Sequence, residues 1–317
     1  MTDDSPSDTF TPEDDGPHPA TGDFYETETF WYSFFVPERG IGGWLYTSLR
    51  ATAGVCAGGA WIWDGRASEP WRAPFFEQFS WLKYPDQPRA PQRLDFPTGM
   101  TIEVRDPLRS YDVSYNDRDR LSVELHFEAL EPPVPLRAGA PPYPKAHHFD
   151  QTGHVTGTIR LDGEQIAVDC YAMRDRSWGR RTERGYSRVG YAWAASPELS
   201  LLTYSLPTDT SDNIHSGYLR IGDEIAYIAD GRRIVERDPS NRWVTRVAID
   251  ATDELGRQVH AEGRAVSRLI LPGSTSICVN TSLEWIVDGT IVHGEDQDVW
   301  PTKAFSARTP IDKETPR

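Results

Sequence analysis

Apolar and polar residues alternate with a period of two in several segments of this chain. Examples are "TIEVR" (Thr101 to Arg105), "LSVELHFEA" (Leu121 to Ala129) and "WVTRVAIDA" (Trp243 to Ala251). Because successive side chains of a strand point to opposite faces, this alternation predicts β-strands with one buried face. The three–four spacing of amphipathic helices occurs only in short pieces, so the pattern predicts an all-β protein.

Four β-prone runs end in Asp-Gly, a dipeptide that tolerates the positive φ angles of a tight hairpin. They are "WIWDG" (from Trp61), "IRLDGE" (from Ile159), "YIADGR" (from Tyr227) and "WIVDGT" (from Trp285). We therefore expect hairpins at these places.

A weak internal repeat divides the strands into two groups. "SFFVPERGIGGWLYTSL" (from Ser33) resembles "AWAASPELSLLTYSL" (from Ala192), with an aromatic strand, Pro-Glu and a second strand in each. The repeat predicts two β units of similar plan. The segment "EPPVPLRAGAPPYPK" (from Glu131) is rich in proline, which donates no ladder hydrogen bond, and it favours a linker.

The expected organisation follows from these boundaries. Residues 1–22 are acidic and poor in apolar residues, a composition that is typical of disorder. The segment also lacks the basic and apolar regions of a signal peptide. We expect an N-terminal β domain at 23–130, a proline-rich linker at 131–146 and a C-terminal β domain at 147–310.

The charge and the cysteines restrict the function classes. The formal net charge is -15, which argues against nucleic acid and anionic membrane surfaces as partners. No apolar run is long enough to span a bilayer. Cys56, Cys170 and Cys278 are few and far apart, as in reduced proteins. These features predict a cytoplasmic protein.

The segment "DCYAMRDRSWGRR" (Asp169 to Arg181) carries the main candidate for chemistry. On a strand, Asp175 shares a face with Tyr171 and Met173, while Arg174 points to the other face. Burial beside these side chains would favour a protonated Asp175, able to donate a proton in a hydration, a dehydration or a double-bond shift. The alternative is a structural ion-pair cluster of Asp175 with the neighbouring arginines, Arg174, Arg176, Arg180 and Arg181.

The segment "KAHHFDQTGH" (from Lys145) adds histidines. His148, Asp150 and His154 share one face of a predicted strand, and a histidine there could orient Asp175. The spacing matches no metal-binding motif, so we predict no metal, and His147 is expected to be a loop residue. Nucleophile-elbow, phosphate-loop and dinucleotide motifs are missing, so no cofactor is expected.

Aromatic residues cluster in "FYETETFWYSFF" (from Phe24) and "WIWDGRASEPWRAPFFEQFSWLKY" (from Trp61). Such clusters either line a pocket for an apolar ligand or fill a core.

The segment "HHFDQTGHVTGTIRLDGEQIAVDCYAMRDRSWGRR" (His147 to Arg181) resembles the carotenoid 1,2-hydratase (hydroxyneurosporene synthase)-like proteins and their bacterial relatives of unknown function. Kievitone hydratase and several fungal Diels–Alderases are distant relatives in this resemblance. It extends to "FYETETFWYSFFVPERGIGGWLYTSLR" (from Phe24) and "LEWIVDGTIVHGEDQ" (from Leu283), and so covers most of the chain after the first twenty or so residues.

The resemblance implies two lipocalin-like β-barrel or β-sandwich units packed together, with a ligand cavity in or between them. It also implies that an aspartate ahead of a "[N/S]-[W/Y]-G" signature is the proton donor, and Asp175 holds that position. The hydratases commonly carry a tyrosine two residues earlier, where this chain has Met173.

The sequence and the resemblance together predict a cofactor-free hydro-lyase that acts on an apolar terpenoid, steroid or polyketide-like substrate. An isomerase or cyclase, a pericyclase and a non-catalytic carrier remain alternatives. The expected catalytic residues are Asp175, His148, Arg174 and Arg176. The expected substrate-binding residues are Trp178, Tyr191, Trp193, Tyr171, Met173, Trp31 and Trp61.

Overall fold

The computed structural model describes residues 9–85, 92–136, 146–181, 188–208, 211–273 and 275–308, with the side chains of 307 and 308 excepted. These residues form an all-β protein, as the alternation predicts. The short helical pieces are 3₁₀ turns at Pro12–Asp15, Pro37–Arg39 and Pro70–Arg72, and the helix α1 at Thr302–Arg308. No helix in these ranges is long and apolar enough to cross a membrane.

In the described residues, the first eleven strands form one sheet, with the order β4-β3-β2-β1-β11-β10-β8-β7-β6-β5 and β9 paired to β10. Their bounds are β1 Glu26–Val36, β2 Ile41–Arg50, β3 Val55–Trp63, β4 Phe75–Lys83, β5 Arg93–Asp95, β6 Met100–Asp106, β7 Ser110–Asn116, β8 Leu121–Ala129, β9 Val134–Pro135, β10 Ala146–Leu161 and β11 Glu164–Arg180.

This sheet is strongly curled. Strands β2 and β6 are six places apart, which is about 29 Å in a flat sheet. Nevertheless, the Thr47 hydroxyl of β2 lies 3.6 Å from Met100 Sδ of β6 and 2.9 Å from the Thr98 hydroxyl. The sheet therefore forms a half-barrel.

The next eight strands form a closed antiparallel barrel. Their bounds are β12 Val189–Ala195, β13 Leu199–Pro207, β14 Asp212–Ile221, β15 Glu224–Arg237, β16 Val244–Asp253, β17 Gln258–Pro272, β18 Ser276–Val287 and β19 Thr290–Pro301.

The predicted division into two β units is confirmed, but its expected boundary is wrong. Strand β10 pairs with β8 along Gly153–Leu161, so the strands before and after the proline-rich segment belong to one sheet. The second unit begins at β12 instead of residue 147. Residues 137–145 of that segment lie outside the described residues. The repeat matches the first hairpin of each unit, β1–β2 and β12–β13.

Two of the four Asp-Gly sites form the predicted tight hairpins, Asp162-Gly163 and Asp288-Gly289, and all four residues have positive φ. Asp64-Gly65 directly follows β3 but forms no tight hairpin, because β4 begins only at Phe75. Asp230-Gly231 lies inside β15, and the residues on both sides of it pair with β16. The register of this pairing shifts between Ile228 and Asp230, so the dipeptide marks an irregularity of the strand and not a hairpin turn.

We expected residues 1–22 to be disordered, but residues 9–22 form part of the folded structure. This segment packs on the half-barrel, where Asp15 is buried and accepts hydrogen bonds from the Tyr111 hydroxyl and the Leu108 amide, both at 2.7 Å. Phe10 contacts the ring of Phe149 with centroids 4.7 Å apart. Residues 1–8 lie outside the described residues.

The core has two parts. One large cluster contains side chains of both units, so hydrophobic packing joins the half-barrel to the barrel. The second cluster fills the barrel. Strand β1 is buried at all eleven positions, because one face meets the barrel and the other lies within the half-barrel.

Candidate active site between the half-barrel and the barrel

Strand β11 lies between β1 and β10, and its register sets the site. Asp175 is directly opposite Trp31 on β1 and Asp150 on β10. Directly opposed residues of antiparallel strands share a face, so these three side chains point to the same side of the sheet, toward the barrel. His148, two residues before Asp150, follows on this face.

His148 connects the two carboxylates. Its Nε2 atom lies 3.2 Å from Asp175 Oδ2 and 3.5 Å from Asp150 Oδ1. The Asp175 side chain is 18% exposed, whereas those of His148 and Asp150 are 5% and 1% exposed. Asp175 is therefore the carboxylate of this network that is open to a ligand.

The barrel supplies two tyrosines to the network. Tyr191 on β12 and Tyr204 on β13 donate their hydroxyls to the two oxygens of Asp150, each at 2.9 Å. The two tyrosines are register partners, which brings both hydroxyls to one carboxylate. The network thus contains groups from both units, and it depends on the way they pack.

A cavity of about 200 Å³ lies beside this network. Aromatic residues form much of its wall, with Asp175 and His148 among them. The lining residues are Thr29, Trp31, Trp44, Tyr46, His148, Asp175, Arg181, Val189, Tyr191, Tyr204, Ser276, Gln297, Val299 and Pro301.

The buried carboxylate controls the charge of His148. Burial alone lowers the pKa of His148, but the negative charge of Asp150 and hydrogen bonds to Asp150 and Asp175 raise it to about 9. Burial and the charge of Asp150 hold the pKa of Tyr191 well above its ordinary value. At neutral pH the network therefore holds an imidazolium between two carboxyl groups and a neutral Tyr191.

The donor atoms of His148, Asp150 and Asp175 all lie within 4.8 Å of one another, which is close enough for a cation. However, both oxygens of Asp150 accept tyrosine hydroxyls, and His148 Nε2 contacts both carboxylates. These contacts are typical of a network that shares protons, and we assign no metal to it.

Arg174 and Arg176 lie on the opposite face of β11, as the alternation predicts, so the structure does not place them beside Asp175. Arg174 covers the ring of Tyr111 at 4.0 Å and donates to its hydroxyl at 2.6 Å. Arg176 pairs with Glu28 at 2.8 Å and donates to the Asp14 and Gly16 carbonyls. Both guanidiniums thus hold the N-terminal segment on the half-barrel.

The alternative of an arginine cluster around Asp175 is wrong for three of the four arginines. In the described residues, Arg174 and Arg176 pair with Asp15 and Glu28, and Arg180 pairs with Asp23. Arg181 lines the cavity and donates to the Thr29 hydroxyl at 3.3 Å.

Only part of the predicted ligand-binding set lines the cavity. Trp31 and Tyr191 do, whereas the other five predicted residues lie elsewhere in the described structure. Trp178 is on the rear face, stacked on His18 at 4.2 Å, and Tyr171 stacks on His154. Met173, Trp193 and Trp61 are buried in the shared core.

Three of the tryptophans and tyrosines that line the cavity were not predicted for it: Tyr204, Trp44 and Tyr46. Tyr204 lies opposite Tyr191 in the β12–β13 hairpin, and Tyr46 lies opposite Trp31 in the β1–β2 hairpin. The register of these hairpins was the signal that could have identified them.

Solved structures of low sequence identity share this fold. The AttH-like protein of Nitrosomonas europaea is 11% identical, with a TM-score of 0.62 over 92% of this chain and 96% of that one. CghA in complex with Sch210972 is 13% identical, with a TM-score of 0.55 over 94% and 95% of the two chains. Kievitone hydratase from Nectria haematococca is 11% identical, with a TM-score of 0.51 over 94% and 98%.

At these identities the likeness shows the fold alone. None of the curated proteins matches this chain in sequence. The profile of one family, described as a domain of unknown function, matches residues 11–294, and the chain therefore belongs to the DUF7064 family.

Proposed function

We propose that this protein is a cofactor-free hydro-lyase that adds or removes water at a double bond of a small apolar substrate. The observation that carries the proposal is the position of Asp175, which is exposed to an aromatic-walled cavity and bonded to a buried, protonated His148. A carboxyl group paired with an imidazole can both donate and accept a proton at neutral pH.

The reaction uses one proton that the pair shares. In hydration, the proton between His148 Nε2 and Asp175 Oδ2 moves to one carbon of the alkene, and the other carbon becomes a cation. The faces of Trp31 and Trp44, both in the wall, stabilise that charge. Water then attacks the cation, and its released proton returns to Asp175. Dehydration follows the same steps in reverse.

The cavity limits the substrate. Its volume of about 200 Å³ is below the range of roughly 300–1,000 Å³ that is usual for drug-sized ligands. Among terpenoid, steroid and polyketide-like compounds, this size favours a small terpenoid alcohol or alkene, or one end of a larger molecule. The presence of a hydratase among proteins of this fold supports the reaction class.

A second candidate is a cavity that binds or orients its ligand without acid catalysis. CghA has the same fold and was solved with the small molecule Sch210972, which favours this alternative. In such a protein, shape selects a reactive conformer or stores the ligand, and Asp175 has no chemical part.

The test is conversion of a panel of terpenols and their alkenes, followed by mass spectrometry for the gain or loss of one water. We expect Asp175→Asn to lower turnover by about 10²- to 10⁴-fold, because the amide cannot pass on the proton. Asp169→Asn is the matched control, since Asp169 is on the same strand and pairs with a β10 histidine, but is exposed. Binding without conversion, or equal turnover by Asp175→Asn, would support the second candidate instead.

A further inference from the structure

Glu295 on β19 is a carboxyl group buried between the two units, and the proposed proton transfer does not use it. It is 3% exposed. The indole Nε1 of Trp44 on β2 lies 3.0 Å from both of its carboxyl oxygens. A side chain of the barrel therefore holds an aromatic ring of the half-barrel by a buried hydrogen bond.

A second hydrogen bond of the same kind lies beside it. Ser282 is the register partner of Glu295 on β18, and its hydroxyl accepts a hydrogen bond from Trp63 Nε1 at 3.0 Å. The rings of Trp44 and Trp63 meet edge to face, 5.8 Å apart. Adjacent barrel residues thus fix adjacent indoles of the half-barrel.

Trp44 is also a wall of the cavity. It lines the cavity together with Trp31, and the two rings meet edge to face with centroids 5.2 Å apart. A tryptophan side chain can rotate about two bonds, and its position determines how much of the cavity is open. The hydrogen bond to Glu295 restricts that rotation, together with the packing of the neighbouring indoles.

We propose that Glu295 is a positioning residue that holds Trp44 in the cavity wall and so determines the affinity of the cavity for apolar ligands. The inference depends on the proposed function only in treating the cavity as the ligand site. Glu295 acts through Trp44 and touches no reacting atom, so its effect is measured on ligand binding, without turnover.

The chemistry of the carboxyl group suits this position. Burial raises the pKa of Glu295 to about 8, although hydrogen bonds with Trp44, Asn280 and Trp193 act in the opposite direction. Below that pH the group is a neutral acid, which brings no charge into the core and still accepts the indole proton. A glutamine would offer the same acceptor, whereas a leucine or a methionine would offer none.

The experiment is a fluorescence titration with N-phenyl-1-naphthylamine, a neutral apolar probe. We expect Glu295→Gln to bind within about twofold of the wild type and Glu295→Leu to bind roughly 5- to 10-fold more weakly, as expected for loss of one buried hydrogen bond. Glu295→Met is a second apolar variant in case the leucine variant does not fold. Glu284→Leu is the control, because Glu284 on β18 forms an exposed ion pair with Arg264.

The indole N–H signal of Trp44 in ¹H–¹⁵N spectra tests the hydrogen bond itself. It should stay in place in Glu295→Gln and move upfield in the apolar variant. Wild-type affinity in a folded apolar variant, or equal weakening by glutamine, would overturn the inference. So would a wild-type protein that does not bind the probe. Because the titration needs no turnover, failure of the hydro-lyase proposal would appear separately, as binding without conversion.

Discussion

Two aspartate–histidine pairs connect β10 and β11, and they differ mainly in their surroundings. His148 and Asp175 lie 3.2 Å apart in the cavity wall, and their side chains are 5% and 18% exposed. His154 and Asp169 lie 2.7 Å apart farther along the same strands, and their side chains are 38% and 79% exposed. The outer pair, His154 and Asp169, therefore has the shorter distance between nitrogen and oxygen.

The comparison shows that burial and a second carboxylate distinguish the candidate site, and that the residue types alone do not. The outer pair is solvated on several sides, where an ion pair contributes little. The inner pair is enclosed by the barrel, and Asp150 adds a fully buried negative charge. The barrel therefore converts an ordinary cross-strand pair into one with a raised proton affinity.

The largest effect is expected when the extra carboxylate is neutralised. Asp150→Asn removes the negative charge that opposes the effect of burial on His148. We expect the pKa of His148 to fall from about 9 by roughly 1 to 3 units, as measured by NMR titration of its ring protons. An unchanged titration midpoint would show that Asp150 does not control this proton.

The pH dependence of stability sharpens the comparison. The folded protein keeps the His148 proton up to about pH 9, while the unfolded chain releases it near pH 6.5. The stabilisation is therefore fully present below pH 6.5 and is lost as pH rises to about 9, by roughly 3 kcal/mol in total.

Urea unfolding at a series of pH values measures this loss. His148→Gln should remove this part of the decline, whereas His154→Gln should retain it. If both variants decline as the wild type does, another group causes the effect. Glu295, whose pKa is raised to about 8, is the first to test, with Glu295→Gln.

A smaller effect is expected from single hydroxyls. Tyr204→Phe removes a donor from the buried Asp150 and should destabilise the protein by about 1–3 kcal/mol. Tyr171→Phe, at the ring stacked on His154, should change the free energy of unfolding by less than about 0.5 kcal/mol. Equal effects of the two substitutions in thermal or urea unfolding would contradict the difference between the pairs.

The smallest effect is expected at the outer pair itself. Asp169→Asn should reduce the free energy of unfolding by no more than about 1 kcal/mol, and the difference should shrink with added salt. A loss of several kcal/mol, independent of salt, would mean that this exposed pair is as important as the buried one.

The local parts of this structure could be predicted from the sequence. Alternation along β11 separates Asp175 from Arg174 and Arg176 correctly, because side-chain direction in a strand depends only on position. The Asp-Gly turns at Asp162 and Asp288 follow from local backbone preferences.

The parts that depend on distant residues could not be predicted. The proline-rich segment looks like a domain linker, but the pairing of β10 with β8 across it is set by strands far apart in sequence. The Tyr204 hydroxyl donates to Asp150, although the two residues are 54 positions apart in sequence and belong to different units. The sequence shows aromatic clusters, but it does not show that Trp61 and Trp193 fill the core while Trp44 lines the cavity.

The contacts of the N-terminal segment, residues 9–22, have a consequence for any shortened form of the protein. Asp15 and the carbonyls of Asp14 and Gly16 are acceptors for Arg174 and Arg176, two guanidiniums that are each 1% exposed. Trimming these residues would remove some of the acceptors of both guanidiniums, directly behind the strand that bears Asp175, and would leave Arg176 with Glu28 and Arg174 with Gln151 and Tyr111. A recombinant version cut at residue 23 would thus lack contacts that support β11 from its other face, with every cavity-lining side chain still present.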